Sequence, residues 1–348
     1  MALGTTNISM SGVATELGYG PSQGNSISLA GLQRAAHYNI GSTTYGQLAE
    51  RDVNAMEMGQ FREYTHKGLL FKFTPNVGFD TVANVGNDSS ATLAPPTTNS
   101  GTGHQFTTAG STTTTTTAAG NTVYVFNTSG TQVGSPPTGD YAYFQSTVTS
   151  NKQMSNWLSA GGVSTIVFWL YLDALDWASG ANTCIIDLDV DDDPSNYPQN
   201  NPYSGVQFVI DGTGRCRWIL GDGGGTSTSD RRTFASSTNT MSSGEWTMWV
   251  IQVFGTGGSE VSTTRNYSWY GSESNQTLSA AGQFLSGSGG NIAWEHSSTA
   301  DQDTFYINSG AQGGRQFSGK IGHILMFDTT ISDTEKQQLF DRMKGYYF

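Results

Sequence analysis

The C-terminal stretch Gly319–Phe348 constrains this chain more than any other. Gly319-Lys320-Ile321-Gly322-His323-Ile324-Leu325-Met326-Phe327-Asp328 is a strand phrase. Strict alternation puts Ile321, His323, Leu325 and Phe327 on one face and Ile324 and Met326 on the other, so both faces are expected to be buried. Ser332-Asp333-Thr334-Glu335 follows as a capping box, with Glu335 reaching back to the Ser332 N–H, and Leu339, Phe340 and Met343 form the apolar stripe of a helix. A doubly buried strand running into an amphipathic helix predicts a sheet closed by a short terminal helix.

Other strand phrases lie upstream. Ser164 to Asp173 is a β-branched and aromatic run expected in the centre of a sheet. Gly205 to Ile210, Asp211-Gly212-Thr213-Gly214 and Arg215 to Ile219 read as a hairpin, because Asp-Gly supplies the positive φ of a tight turn. Gly244 to Val253 carries Trp246 and Trp249, Tyr267 to Ser272 carries Trp269, and Lys67 to Phe73 is the opening strand. Trp169, Trp246, Trp249 and Trp269 are assigned to the core or its edges.

These phrases together resemble the concanavalin A-like, laminin G-like family of jelly-roll domains. In that family a "G-x-I-x-x-h-x-h-[YF]-D" strand precedes "h-S-x-x-E" and a helix, and strands of the forms "F-W-h-x-h" and "W-x-x-h-x-h" lie upstream. Ser272 departs from the family's "h-Y-h-N-G" phrase. The resemblance covers residues 65–348 and implies an all-β, concanavalin A-like (laminin G-like) β-sandwich jelly roll with a C-terminal helix, preceded by a small, partly helical N-terminal segment. Such folds host many functions.

Composition agrees with one large β unit plus an appendage. The chain has 348 residues, 44 Gly but only 9 Pro, and only 13% charged residues. A formal net charge of -12 argues against nucleic acid as a partner, since phosphate binding rests on Lys and Arg. The start, Met1-Ala2-Leu3-Gly4, lacks the basic and apolar regions of a signal peptide, and no run has the length of a membrane-spanning helix, so membrane insertion is not expected. Cys184 and Cys216 both fall in expected strands and are read as buried free thiols rather than a bridge.

Residues 1–64 form a separate segment. Ile8-Ser9-Met10-Ser11 and Ile27-Ser28-Leu29-Ala30 make a quasi-repeat, each half leading into a short helix, with Ser11 and Ser28 as N-caps and a third helix from Tyr45 to Met58. These phrases resemble the N-terminal segments of structural proteins of tailed phages, marine phages in particular. That resemblance implies a virion-docking segment, other virion proteins as partners, a virion location and a homo-oligomer, a trimer being one such form. Between 97 and 139 the strand vocabulary lapses; the run Thr112 to Thr117, with Ala118-Ala119-Gly120-Asn121 and Thr122 to Phe126, is expected to be an inserted hairpin rather than a glycosylated stalk.

Catalytic signatures are missing. Retaining glycosidases on related jelly rolls alternate carboxylates along one strand, but Glu245 has no carboxylate at 247 or 249, and Glu295 is followed by His296 and two serines. No nucleophile elbow, zinc-protease helix or phosphate loop is present, and no enzymatic activity is expected. Asp187, Asp189, Asp191 and Asp193 would share a strand face and offer hard oxygen ligands to calcium, the one cofactor considered; the alternative is a solvated acidic face. Trp177, Asn196, Tyr197, Asn200 and Tyr203, in polar loops, supply stacking surfaces and amides for a glycan. The expected function is a non-enzymatic virion structural protein, as a tail, collar or capsid appendage. A carbohydrate-binding host-recognition adhesin is the alternative, and a glycan-cleaving enzyme with an atypical site is the third reading.

Overall fold

The structure, a computed structural model, describes residues 9, 69–75, 78–81, 104–109, 112–127, 140–146, 163–174, 183–189, 204–210, 214–222, 231–257, 260–261, 267–283, 285–286, 304–308, 316–327 and 330–348. The three expected N-terminal helices lie outside them. Two antiparallel sheets and one helix account for the described elements. The first sheet contains β1 (Leu69–Thr74), β2 (Gly78–Thr81), β4 (Thr113–Thr116), β5 (Thr122–Phe126), β7 (Val163–Leu172), β12 (Trp246–Gly257), β13 (Glu260–Val261), β14 (Tyr267–Ser272), β15 (Ser279–Gln283) and β18 (Gly319–Phe327). The second contains β3 (His104–Ala109), β6 (Tyr141–Ser146), β8 (Thr183–Asp189), β9 (Ser204–Ile210), β10 (Arg215–Asp222), β11 (Arg231–Thr240), β16 (Leu285–Ser286) and β17 (Thr304–Ile307). The helix is α1 (Asp333–Lys344).

The two sheets pack face to face as an all-β sandwich. Phe168 of β7 meets Phe208 of β9 edge-on at 4.7 Å, and Trp249 of β12 lies 5.9 Å from the same ring. These side chains are at most 1% exposed. Burying each contributes on the order of 1.5–3 kcal/mol, and together they fix the two layers against one another.

β7 is the central strand, paired with β12 on one side and β18 on the other. Its residues divide by parity. Ile166, Phe168 and Leu170 face the second sheet, while Thr165, Val167 and Trp169 face α1. Both sets are buried, which is why the run from Ser164 to Asp173 has no alternation of apolar and polar residues.

β18 corrects the strict alternation. Its register on β7 slips between Ile321, opposite Leu170, and Ile324, opposite Phe168. A bulge at Gly322-His323 absorbs the extra residue, so Ile321 shares its face with Ile324 and Met326, while Leu325 and Phe327 face the helix. The bulge falls where the far edge of β18 changes partner. Gly319 to Ile321 pair with β5, and Ile324 to Phe327 pair with β1. The expected threonine hairpin is therefore β4 and β5, turned through Gly120 at φ 82°, and its β5 strand belongs to the main sheet.

The helix begins as expected, with the reciprocal Ser332–Glu335 capping box formed. Leu339, Phe340 and Met343 are fully buried on the first sheet. Phe340 stacks on Trp169 at 5.3 Å, and Gly271 of β14 gives it room, since a Cβ there would lie 3.0 Å from the Phe340 ring. Past the helix, Tyr347 stacks on Trp169 and packs against Trp246, both at 4.4 Å. The Tyr347 hydroxyl accepts the His323 N–H at 2.7 Å and lies 2.6 Å from His323 Nδ1. Gly322 is required beneath this contact, because a Cβ would come within 2.2 Å of the Tyr347 hydroxyl. Tyr346 ties the tail to the hairpin: its carbonyl accepts from Thr117 Oγ1 and Asn121 Nδ2, and its hydroxyl donates to the Thr122 carbonyl.

Strand pairing settles the cysteines. Cys184 lies opposite Val209 on one side of β9, and Cys216 lies opposite Ile210 on the other. Two strand spacings put them about 10 Å apart, beyond the reach of a disulfide.

Candidate functional site

The candidate residues read from the sequence attach to the two ends of β8. Asp187 lies opposite Gln207 and Tyr306, and Asp189 opposite Thr304, on an interior strand of the second sheet. Asp191, Asp193, Asn196, Tyr197, Asn200 and Tyr203 lie outside the described residues, in the connection leaving the Asp189 end. Trp177 also lies outside them, in the connection that enters β8 at Thr183. The two connections thus spring from points about 20 Å apart along the strand. Among the described residues no group of three or more His, Cys, Asp or Glu side chains is placed to hold a metal ion.

Where β7 ends and the Trp177 connection begins, strand ends from both sheets converge into a polar rim. Asp173 N–H donates to the Ser318 carbonyl at 3.0 Å, and Gly244 N–H donates to the Leu172 carbonyl at 2.8 Å, which brings the starts of β18 and β12 alongside the end of β7. Gly244 adopts φ 77°, a conformation glycine takes without strain. The Asp173 carboxylate accepts from Ser318 Oγ at 2.8 Å and lies 3.8 Å from Lys320 Nζ. The same ammonium sits 3.6 Å over the Tyr171 ring, so cation–π attraction and charge pairing hold Lys320 in one place.

A second carboxylate, Glu245, follows Gly244 at the start of β12. Glu245 accepts the Ser274 N–H at 2.9 Å. Burial alone would raise its carboxyl, but hydrogen bonds from the Ser274 side chain and backbone and from the Ser242 and Ser272 side chains outweigh that and hold it below the ordinary glutamate value. The hydroxyls are themselves positioned. Tyr270 Oη donates to Ser242 Oγ at 3.0 Å, Ser272 Oγ and Ser274 Oγ are 3.1 Å apart, and Asn275 N–H donates to Ser272 Oγ. A carboxylate held in this way is a fixed charged acceptor and lacks the raised pKa that suits a general acid at neutral pH.

Beneath the rim lies a buried polar knot that ties the two sheets together. Asn308, immediately after β17, is fully buried at φ 60°. Its Nδ2 donates to the Asp140 and Phe317 carbonyls, its Oδ1 accepts the Phe317 N–H at 2.6 Å, and its own N–H donates to the Ile185 carbonyl. Gln316 Nε2 donates to the Asp140 and Asn308 carbonyls, and Asp140 Oδ2 accepts the Asn127 N–H. Asparagine tolerates the left-handed region, and here that turn aims its amide at three backbone groups.

Sequence reasoning did not single out Asp173, Ser242, Ser272, Ser274, Ser318 or Lys320. They come from four separate strand ends, and no local spacing marks their convergence. The only local hint is that Asp173, Glu245 and Ser272 each stand at the border of an expected strand, where a side chain leaves the sheet.

These features define an antiparallel two-sheet sandwich with a polar rim at one end. No protein-family model matches the chain, and no curated protein matches it. Among solved structures it is similar to the botulinum neurotoxin serotype D/C VPI 5993 binding domain, at 12% identity and a TM-score of 0.44 over 79% of this chain and 52% of that one. It is also similar to the receptor-binding domain of the botulinum neurotoxin C/D mosaic serotype, at 13% identity and a TM-score of 0.43 over 79% and 51%. A third is the serotype D ligand-binding domain in complex with N-acetylneuraminic acid, at 12% identity and a TM-score of 0.42 over 79% and 51%. The chain spans about half the length of these solved chains. Likeness of this degree assigns no function, and the reading below rests on this chain's own residues.

Proposed function

We propose that this protein is a non-catalytic glycan-recognition module, built on a concanavalin A-like sandwich and carried on a phage particle by its N-terminal segment. The observation that carries the reading is the rim. Asp173 with Ser318 and Lys320, and Glu245 with Ser242, Ser272 and Ser274, line the strand ends from which the Trp177 connection departs. Fixed carboxylates and hydroxyls beside an aromatic-bearing loop are the groups that bind sugar hydroxyls and stack on pyranose faces. Loops and strand ends on a rigid sheet are also where binding residues gather. The opposite connection, with Asn196, Tyr197, Asn200 and Tyr203, offers the same chemistry for a second contact. The absence of alternating carboxylates along a strand and the lowered Glu245 both favour binding over hydrolysis.

The test is binding of the full chain to host surface polysaccharide, read by calorimetry or a glycan array. Wild type is expected to bind, and the pair Trp177→Ala with Asp173→Asn to lose at least tenfold in affinity with an unchanged melting temperature. If the wild-type chain binds no polysaccharide, the second reading takes over: a structural decoration of the particle, favoured by the phage-like phrases around Ile8 and Ile27. In both readings the protein is found in purified particles.

A further inference from the structure

We propose that the outer edge of the threonine hairpin is a self-association surface, through which two copies of this chain pair β4 to β4 in a two-fold dimer. β4 is joined to the sheet on one side only, by β5, with Thr113 opposite Val125 and Thr116 opposite Thr122. No described residue pairs with its other side. The turn fixes which backbone groups are left over. Thr117 N–H donates to the Asn121 carbonyl at 2.7 Å, so by the antiparallel alternation Thr115 and Thr113 also face β5, while the N–H and C=O groups of Thr114 and Thr116 point to the open edge. The Thr113, Thr114 and Thr116 side chains are exposed.

This edge carries none of the usual protections against pairing: within β4 there is no proline, lysine or bulge. It is also rigid, because Thr117, Asn121 and Thr122 are bonded to Tyr346 of the C-terminal tail. Charge selects the occupant. The chain has a formal net charge of -12, so two copies repel over most approaches, yet residues 89–139 contain no Asp, Glu, Lys or Arg. The hairpin lies within that block, so pairing along β4 sets no charged side chain of one hairpin against the other. A two-fold antiparallel pairing sets Thr114 against Thr116 of the second copy, twice, and satisfies all four open-edge residues' backbone groups. It also places Thr115 against its own counterpart at the axis, with favourable threonine–threonine cross-strand contacts.

Sedimentation of the full chain across a wide concentration range tests this. The expected result is a shift from the 37.2 kDa monomer to twice that mass as concentration rises. Thr114→Pro, which removes an N–H that faces away from β5, is expected to weaken association at least tenfold while leaving the melting temperature within a few degrees. Thr115→Cys is expected to give a disulfide-linked dimer under mild oxidation, absent from the wild type with its own two cysteines. A chain that remains monomeric at all concentrations overturns the proposal, as does an oligomer unaffected by Thr114→Pro. If Thr114→Pro fails to fold, failure of Thr115→Cys to cross-link overturns it instead.

Discussion

The helix-covered face of the first sheet and its rim use the same kinds of residue in opposite ways. On the helix-covered face, Trp169, Trp246 and Tyr347 are no more than 4% exposed, stacked on one another and on Phe340. That face is so fully closed that the Trp169 indole N–H is left without a hydrogen-bond partner. An unbonded buried polar group costs on the order of 1–3 kcal/mol, so the packing must outweigh it. At the rim, by contrast, Tyr171 is only partly covered, its ring carries the Lys320 ammonium, and the carboxylates and hydroxyls around it are bonded yet reach solvent. Aromatic side chains on the covered face hold the fold, and the polar groups at the rim are available to a ligand. An aromatic-rich sequence therefore does not by itself locate a sugar site.

This contrast can be broken by substitution, starting with the covered face. Trp169→Ala is expected to destabilise the fold by about 3–5 kcal/mol, as for other large aromatic truncations in packed cores. Denaturant unfolding followed by circular dichroism would measure it, and a loss below about 1 kcal/mol would mean that the helix and tail do not cover this face in solution.

Asn308, in the knot between face and rim, comes next. Replacement by alanine removes three hydrogen bonds to buried backbone groups, of which the Asp140 carbonyl keeps Gln316 as a partner, and leaves a side chain at positive φ, so a loss of about 2–4 kcal/mol is expected. Glycine at this position removes the backbone strain but not the lost hydrogen bonds. Asn308→Gly should therefore be less damaging than Asn308→Ala and still clearly less stable than wild type; equal melting temperatures for Asn308→Gly and wild type would show that the amide does not tie the sheets.

The smallest effect is expected at the rim. Hydrogen bonding holds the folded-state pKa of Glu245 below the ordinary glutamate value, so its contribution is present above that ordinary value and disappears as pH falls through the folded pKa. The group is only partly buried, so solvent screening keeps the effect small. Glu245→Gln should lower the melting temperature slightly at neutral pH, and the difference from wild type should vanish under acidic conditions. A difference that grows on acidification would reverse the assignment of Glu245 as a fixed anion.

Much of the scaffold was legible in order and type. Ser164 to Asp173, Gly205 to Ile219, Gly244 to Val253 and the strand–helix sequence from Gly319 all appear as β7, β9–β10, β12, β18 and α1, because β-branched runs, Asp-Gly turns and a capping box are local signals. The threonine hairpin was legible for the same reason. The facing of β18 was not, because Gly322-His323 form a bulge that shifts the alternation, and a bulge is imposed by the partner strands and by Tyr347 rather than by strand propensity. The candidate site was hardly legible at all. Asp187 and Asp189 lie in β8 as read, but the groups that converge beside the Trp177 connection belong to segments far apart in the chain.

The sequence by itself determined that this chain is an all-β sandwich closed by a capped C-terminal helix, since hydrophobic period, turn residues and caps act within a few residues of each other. Only the tertiary structure decided that Trp169 and Trp246 lie under the helix and tail, that Cys184 and Cys216 are held apart by β9, that Asp173 meets Ser318 and Lys320, and that Glu245 gathers Ser242, Ser272 and Ser274. Those outcomes depend on register and on which strand ends meet. Register is a property of pairs of strands, and a one-residue slip in β18 is enough to exchange one face for the other.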